Sequence, residues 1–196
     1  MHALEAGAKD VLEPDARKVW TLVFRSQLAL HMYEAAGATI LSLPFDDLRT
    51  TCITSLVTTL CEAQETRTLL RLDLLEWQPH IERTLSFQAR HASPLAHPSY
   101  FHILYAYHVS RGDYKSAAAS MYQHAHRLGV LTRDAPSLES MQAYAVQQAQ
   151  RFLVCINALV LLPATLAWFA HDNTDSLAAT GRPTDRHALR GRVTHY

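Results

Sequence analysis

The sequence predicts an all-α protein, built of antiparallel helical hairpins stacked as a short α-solenoid of tetratricopeptide-like type. Three observations predict it. Apolar residues recur at helical spacing nearly everywhere, with no convincing period-two alternation. Apolar residues make up 48% of the 196 and only six are glycine, which excludes a disordered or collagen-like chain. Finally, Tyr100 to Gly129 reads as helix, tight turn, helix, the building block of helical repeat scaffolds.

A first helix is expected over residues 14 to 36. Pro14 suits an opening turn, where its missing N–H costs nothing, and Asp15 suits the positive end of the dipole. Val19, Val23, Leu30 and Tyr33 make one stripe, Trp20, Phe24 and Leu28 an adjoining one, and Gly37 reads as the stop. A second helix is expected from Ser42, read as its N-cap, with Pro44, Asp46 and Asp47 in the first turn. Phe45, Leu48, Cys52, Leu56 and Thr59 face one way along it, and Ile53, Val57 and Leu60 widen that face. A short helix over Thr66 to Leu72 and another from Pro79 to Arg90 follow, then a loop holding Pro94 and Pro98.

In the hairpin, Phe101, Leu104, Tyr105 and His108 form one stripe and Tyr100, Ile103 and Tyr107 a second, so this helix is expected to be packed on two sides. Gly112 tolerates the left-handed conformation that ends a helix, and the Asp113 carboxylate can accept from free N–H groups of the next. Tyr114, Ala117, Ala118, Met121, Tyr122, Ala125 and Leu128 line the second limb, which Gly129 is expected to end. A last long helix carries Leu138, Met141, Ala145, Ala149, Phe152, Ile156 and Leu159 at helical spacing until Pro163. The division is an N-terminal extension over 1–13, a helical solenoid domain over 14–171 and a flexible tail over 172–196.

Zero formal net charge argues against a bulk electrostatic grip on nucleic acid or an acidic membrane. Cys52, Cys61 and Cys155 leave one cysteine unpaired under any pairing and suit a reducing compartment. The first seven residues lack the basic start and apolar run of a secretory signal. Twelve histidines invite a metal, but helical geometry sets His124 and His126 about 160° apart and His102 and His108 about 120° apart. Cys52 and Cys61 fall on opposite faces of one helix. No nucleophile elbow is present, and Gly112-Asp113-Tyr114-Lys115-Ser116 lacks the glycines and preceding strand of a phosphate loop. Neither a catalytic, a metal nor a cofactor site is expected. The tail arginines Arg182, Arg186, Arg190 and Arg192 share the tail with Asp172, Asp175 and Asp185 and with Tyr196 as its only aromatic, and read as solvated rather than as a nucleic-acid patch.

Two groups of residues carry a resemblance. Leu43-Pro44-Phe45-Asp46-Asp47-Leu48-Arg49-Thr50-Thr51-Cys52, continuing through Leu56-Val57-Thr58-Thr59-Leu60-Cys61-Glu62, resembles a segment of the large Y-complex nucleoporin family, the hundred-and-sixty-kilodalton nuclear pore complex protein. Tyr100 to His108, Tyr114 to Ala118, Met121-Tyr122 and His126 to Gly129 resemble its next landmark, and Leu161 to Trp168 is similar to a further segment. The resemblance runs from the first helix to near Leu162 and covers part of the family's α-solenoid, without its N-terminal β-propeller. It implies a non-enzymatic scaffold subunit of the nuclear pore complex, serving nucleocytoplasmic transport. Its implied partners are other helical nucleoporins of the Y-complex. No direct nucleic acid, no small-molecule substrate and no membrane contact are expected, and the implied location is the nuclear pore at the nuclear envelope.

Two rival readings stay open. One is a generic helical-repeat adaptor anchored in a membrane through the uncharged run Phe152 to Ala170, against a buried closing helix followed by a short one after Pro163. The other is a small all-α ligand-binding protein in which polar groups such as His102, His108 and His124 converge on a cavity.

Overall fold

The computed structural model describes the backbone of residues 2–72 and 74–167, and within those ranges the side chains from Pro14 onward other than that of Leu75. The described residues form eight α-helices, one 3-10 turn and no strand. The helices are α1 (His2–Ala29), α2 (Tyr33–Ser42), α3 (Asp46–Glu62), α4 (Thr66–Arg71), α5 (Gln78–His91), α6 (Tyr100–Ser110), α7 (Tyr114–Arg133) and α8 (Leu138–Val160), with the 3-10 turn at Leu75–Trp77. The all-α, solenoid-like expectation holds. The expected tail, 172–196, lies outside the described residues.

Several boundaries differ from expectation, and helix-end chemistry explains most of the differences. The segment expected as one helix over 14–36 is broken at residues 30–32, starts earlier at His2, and carries Pro14 inside α1. The stop is His31, at a left-handed φ of 56°. Its N–H bonds the Leu28 carbonyl (3.0 Å) while the Met32 N–H reaches the Gln27 carbonyl (2.9 Å), the paired bonds of a Schellman ending. The same pair recurs after α3, at Gln64 (φ 59°), with Gln64 N–H to Cys61 and Glu65 N–H to Leu60. It recurs again after α6, at Gly112 (φ 73°), where Gly112 N–H bonds Val109 and Asp113 N–H bonds His108. Only the third carries the glycine that sequence reading looks for.

Gly37 and Gly129, expected as stops, lie inside α2 and α7. Close approach accounts for them. A Cβ on Gly37 would stand 3.1 Å from Leu72 Cδ2, and one on Gly129 would stand 2.5 Å from Gln148 Nε2 of α8. Ser42 ends α2 and donates to the Ala38 carbonyl rather than capping the next helix, which begins at Asp46 with Asp47 beside it in the first turn. Asp113 does cap α7, accepting from Ser116 N–H at 3.0 Å. A reciprocal Ser137–Ser140 capping box opens α8.

Packing follows chain order: α1 on α2 and α3, α2 on α3, α3 on α5, then α5 on α6, α6 on α7 and α7 on α8, with α4 against α3 and α6. The centre is α3, which buries Cys52, Ile53, Leu56, Val57 and Leu60 of the widened face that its pattern predicts, and also Cys61, which the pattern places on the opposite face from Cys52. Leu85 of α5 and Met121 of α7 are wholly buried. Each such side chain contributes about 1.5–3 kcal/mol through removal from water. On α6, Phe101, Leu104 and His108 are buried on one stripe and Ile103 and Tyr107 on the other, as expected of a helix packed on two sides. Ala117, Ala118 and Ala125 are fully buried and let α7 sit close to its neighbours. Polar ties hold the stack in register. Arg17 of α1 pairs with Asp47 of α3 at 2.7 Å and lies over the Phe45 ring. Arg127 of α7 donates to the Ala89 carbonyl at the end of α5 at 2.7 Å.

Candidate interaction surface

Helix α8 has its most extensive packing with α7, and the side it turns inward is not its most apolar one. Toward the stack it presents half-buried Tyr144, Gln147, Gln148 and Arg151, then buried Cys155 and Ala158. The stripe read from the sequence mostly faces out: Leu138 is 66% exposed and Ile156 53%, with Met141, Ala145 and Ala149 exposed between them. Phe152 and Leu159 are partly buried, Phe152 edge-on to Tyr122 at 5.9 Å. Val146, Leu153 and Val160 widen the outward face. The expectation of a buried closing helix is therefore corrected to a helix buried along one side only, a side that is polar from Tyr144 to Arg151 and apolar at Cys155 and Ala158. Periodicity tells which residues share a face, not which face meets a neighbour.

The other end of the stack repeats the pattern. On α1, Trp20, Phe24 and Leu28 turn inward, with Phe24 only 2% exposed, while Val19, Leu22 and Val23 face out, as does Leu30 in the turn that follows. Contiguous exposed apolar surface on a folded protein marks an interaction site. Of the aromatic residues expected to pack, Phe101 is buried, and Trp20, Tyr105 and Tyr122 lie half-buried against the core. None of them dominates the outward faces.

The histidines divide into two places. His108 is buried between Glu82 of α5, 3.7 Å from its Nε2, and Asp113, 3.8 Å from its Nδ1. Burial lowers its pKa against the raising pull of the two carboxylates, with the Arg111 charge lowering it further. Asp113 itself sits below its ordinary value: burial raises it, but the hydrogen bonds from Ser116 and the charge of His108 outweigh that.

His124 is 2% exposed, lies flat on Phe101, and meets His102 across the α6–α7 hairpin at 5.5 Å between ring centroids. Its Nε2 donates to the Pro94 carbonyl at 2.9 Å, tying the 92–99 loop to α7. The pairing of His102 with His124 joins two helices, so spacings within one helix do not reveal it. Its signal is the hairpin itself, which brings the start of α6 beside the middle of α7. His126 lies apart, tilted against Tyr122.

Cys52, Cys61 and Cys155 are free thiols buried in the core, and burial pushes Cys61 up to about 12, which keeps it protonated and inert. Among the described residues, no group of three or more His, Cys, Asp or Glu side chains could hold a metal ion. Lys115 and Ser116 lie in the first turn of α7, with the Ser116 N–H engaged by Asp113, so this is a capped helix start rather than a phosphate loop. No helix among the described residues is long and apolar enough to cross a membrane. The candidate span is interrupted, since α8 ends at Val160 before Pro163; residues 168–170 of it lie outside the described residues.

Comparison with known proteins agrees with this architecture. The family model described as "NUP160/120 middle TPR" matches residues 2–161. The chain is 25% identical over 175 residues to the mouse nuclear pore complex protein Nup160, covering 89% of this chain and 12% of that protein. It is 26% identical over 163 residues to the Nup160 homolog of Drosophila melanogaster, covering 82% and 11%. To the nucleoporin NUP120 of Chaetomium thermophilum it is 22% identical over 177 residues, covering 86% and 14%. The chain thus spans between a tenth and a seventh of the length of these relatives. With a match over the whole helical stack, in a chain whose described residues are all helical, the protein belongs to the NUP160/120 middle TPR family.

Proposed function

We propose that the chain is a non-enzymatic scaffold module of the nuclear pore complex, located at the nuclear envelope, whose partners are other helical nucleoporins of the Y-complex. Its relatives are named as nuclear pore complex proteins, and the family is one of helical repeats. The observation that carries the mechanism is the outward apolar stripe on α8, from Leu138 to Val160, matched by a second stripe on α1. Burial of such a stripe against a neighbouring helix releases water from apolar surface at about 25 cal/mol per Å² and needs no catalytic group. The domain over 14–171 is the unit that docks, with 1–13 and 172–196 outside it. Its contribution to nucleocytoplasmic transport is structural.

The test is affinity purification of the tagged chain from its own cells, read by mass spectrometry. Recovery of Y-complex nucleoporins is expected. Soluble, folded bait that brings down none of them would count against the scaffold role.

A further inference from the structure

The outward face of α8 is spaced alike in both directions about its middle. Its exposed positions run Leu138, Gln142, Ala145 and then Ala149, at steps of four, three and four residues. Beyond Ala149 they run Leu153, Ile156 and Val160, again at steps of four, three and four. This is the alternating spacing of a seam that meets another helix. Neither charge of α8 lies on it: Arg151 turns inward, and Glu139 stands about 100° round the helix from Leu138.

Reversal about Ala149 sets small side chains opposite large ones. With a second α8 laid antiparallel across the first and the two-fold axis at Ala149, Ala145 of each chain meets Leu153 of the other, and Leu138 meets Val160. Ala149 meets itself, so the helix axes can approach to about 8 Å at the crossing. Gln142 meets Ile156 with its methylene stem and keeps its amide at the wet edge of the seam. The antiparallel arrangement also opposes the two helix dipoles.

The area is that of a stable dimer. Taken at their fractional exposures, the large apolar side chains Leu138, Met141, Val146, Leu153, Ile156, Val160 and Leu161 leave about 700 Å² open, near the roughly 800 Å² per partner of a standard interface. An uncharged face brings no like charges together when it meets its own copy. Within this chain, residues 171–196 carry four large apolar side chains, Leu177, Leu189, Val193 and Tyr196, too few to cover that face.

We propose that two copies of this chain pair isologously through α8, antiparallel about Ala149. The pair shares only its face with the proposed docking role, and it is the state of the chain when no other nucleoporin occupies α8.

The experiment is sedimentation equilibrium of the purified full chain from about 1 to 100 μM, with no other nucleoporin present, so its outcome is independent of the affinity purification. The mass of two chains is expected at the upper end. Ile156→Asp, which enters the seam twice in a two-fold pair, should weaken pairing at least tenfold with the circular dichroism of a folded helical protein retained; Leu153→Asp is the second variant should the first not fold. Register is read by cross-linking under mild oxidation. Ala149→Cys should form a disulfide between copies, because the native cysteines are buried and the two positions 149 adjoin. Leu138→Cys should not, since its two copies stand about 33 Å apart in this register. A chain that stays monomeric at 100 μM, a mass that grows beyond two chains as α8-on-α1 stacking would give, pairing unchanged in the folded aspartate variant, or cross-linking at position 138 instead of 149 overturns the proposal.

Discussion

The imidazole of His124 on α7 stacks on the phenyl ring of Phe101 on α6, 4.7 Å between centroids and 10° from parallel. Burial in that sandwich pushes its pKa down to about 4; the Pro94 carbonyl opposes the shift, and the charges of Arg151, His102 and Arg127 add to it. The unfolded chain holds an ordinary histidine near 6.5 and takes up the proton first as pH falls. The stability from neutral His124 is therefore complete above about 6.5 and is lost between about 6.5 and about 4, on the order of 3 kcal/mol. Denaturant unfolding at a series of pH values should show this loss, and His124→Gln should flatten the profile. His102 and His108, also lowered, add to the same slope. A wild-type profile level across that window would contradict the buried neutral assignment.

His31 and Gln64 hold the left-handed position that Gly112 holds after α6. A side chain there costs about 1–2 kcal/mol relative to glycine. Gln64→Gly should therefore raise stability by about 1 kcal/mol, less the entropy glycine returns to the unfolded chain. Gly112→Val should do the opposite and more strongly, although no atom stands within 4 Å of its would-be Cβ, because the penalty is in the backbone. Thermal melts of the two variants moving in the same direction would refute the shared ending.

Ile156 and Leu153 lie on the outward face of α8, more than half exposed. Ile156→Asp and Leu153→Asp should change folding stability by no more than about 0.5 kcal/mol. Both should abolish recovery of Y-complex partners in the affinity purification. Leu56→Ala at the centre of α3 is the contrasting control, expected to cost about 2–5 kcal/mol. Normal partner recovery with both aspartates in place would move the docking face off α8.

Asp113 serves two neighbours, capping α7 through Ser116 and facing His108 at 3.8 Å. Asp113→Ala should remove about 1 kcal/mol of helix-capping stability. It should also lower the His108 pKa further, since one of the two carboxylates that raise it is gone. An NMR titration of His108 checks the second effect independently of the first; an upward shift would mean that the ion-pair geometry is wrong.

Much of this protein is determined by its sequence read locally. The helical period, the α6–α7 turn at Arg111-Gly112-Asp113, the Asp113 cap and the loop with Pro94 and Pro98 depend on residues a few positions apart, and each stands where its chemistry predicts. The family model spans the same segments, Leu43 to Glu62 and Tyr100 to Gly129, which hold α3 and the α6–α7 hairpin. Three decisions belonged to the tertiary structure. One is which stripe of α1 and of α8 turns inward, since two adjoining apolar faces differ only in the neighbour each meets. Another is the use of Gly37 and Gly129, where the reason for a missing side chain is a leucine or glutamine from another element. The last is the meeting of His102 with His124, which depends on how α6 lies along α7. Capping and periodicity are short-range properties of one segment, whereas face choice, close approach and site assembly are set by contacts between segments distant in the chain.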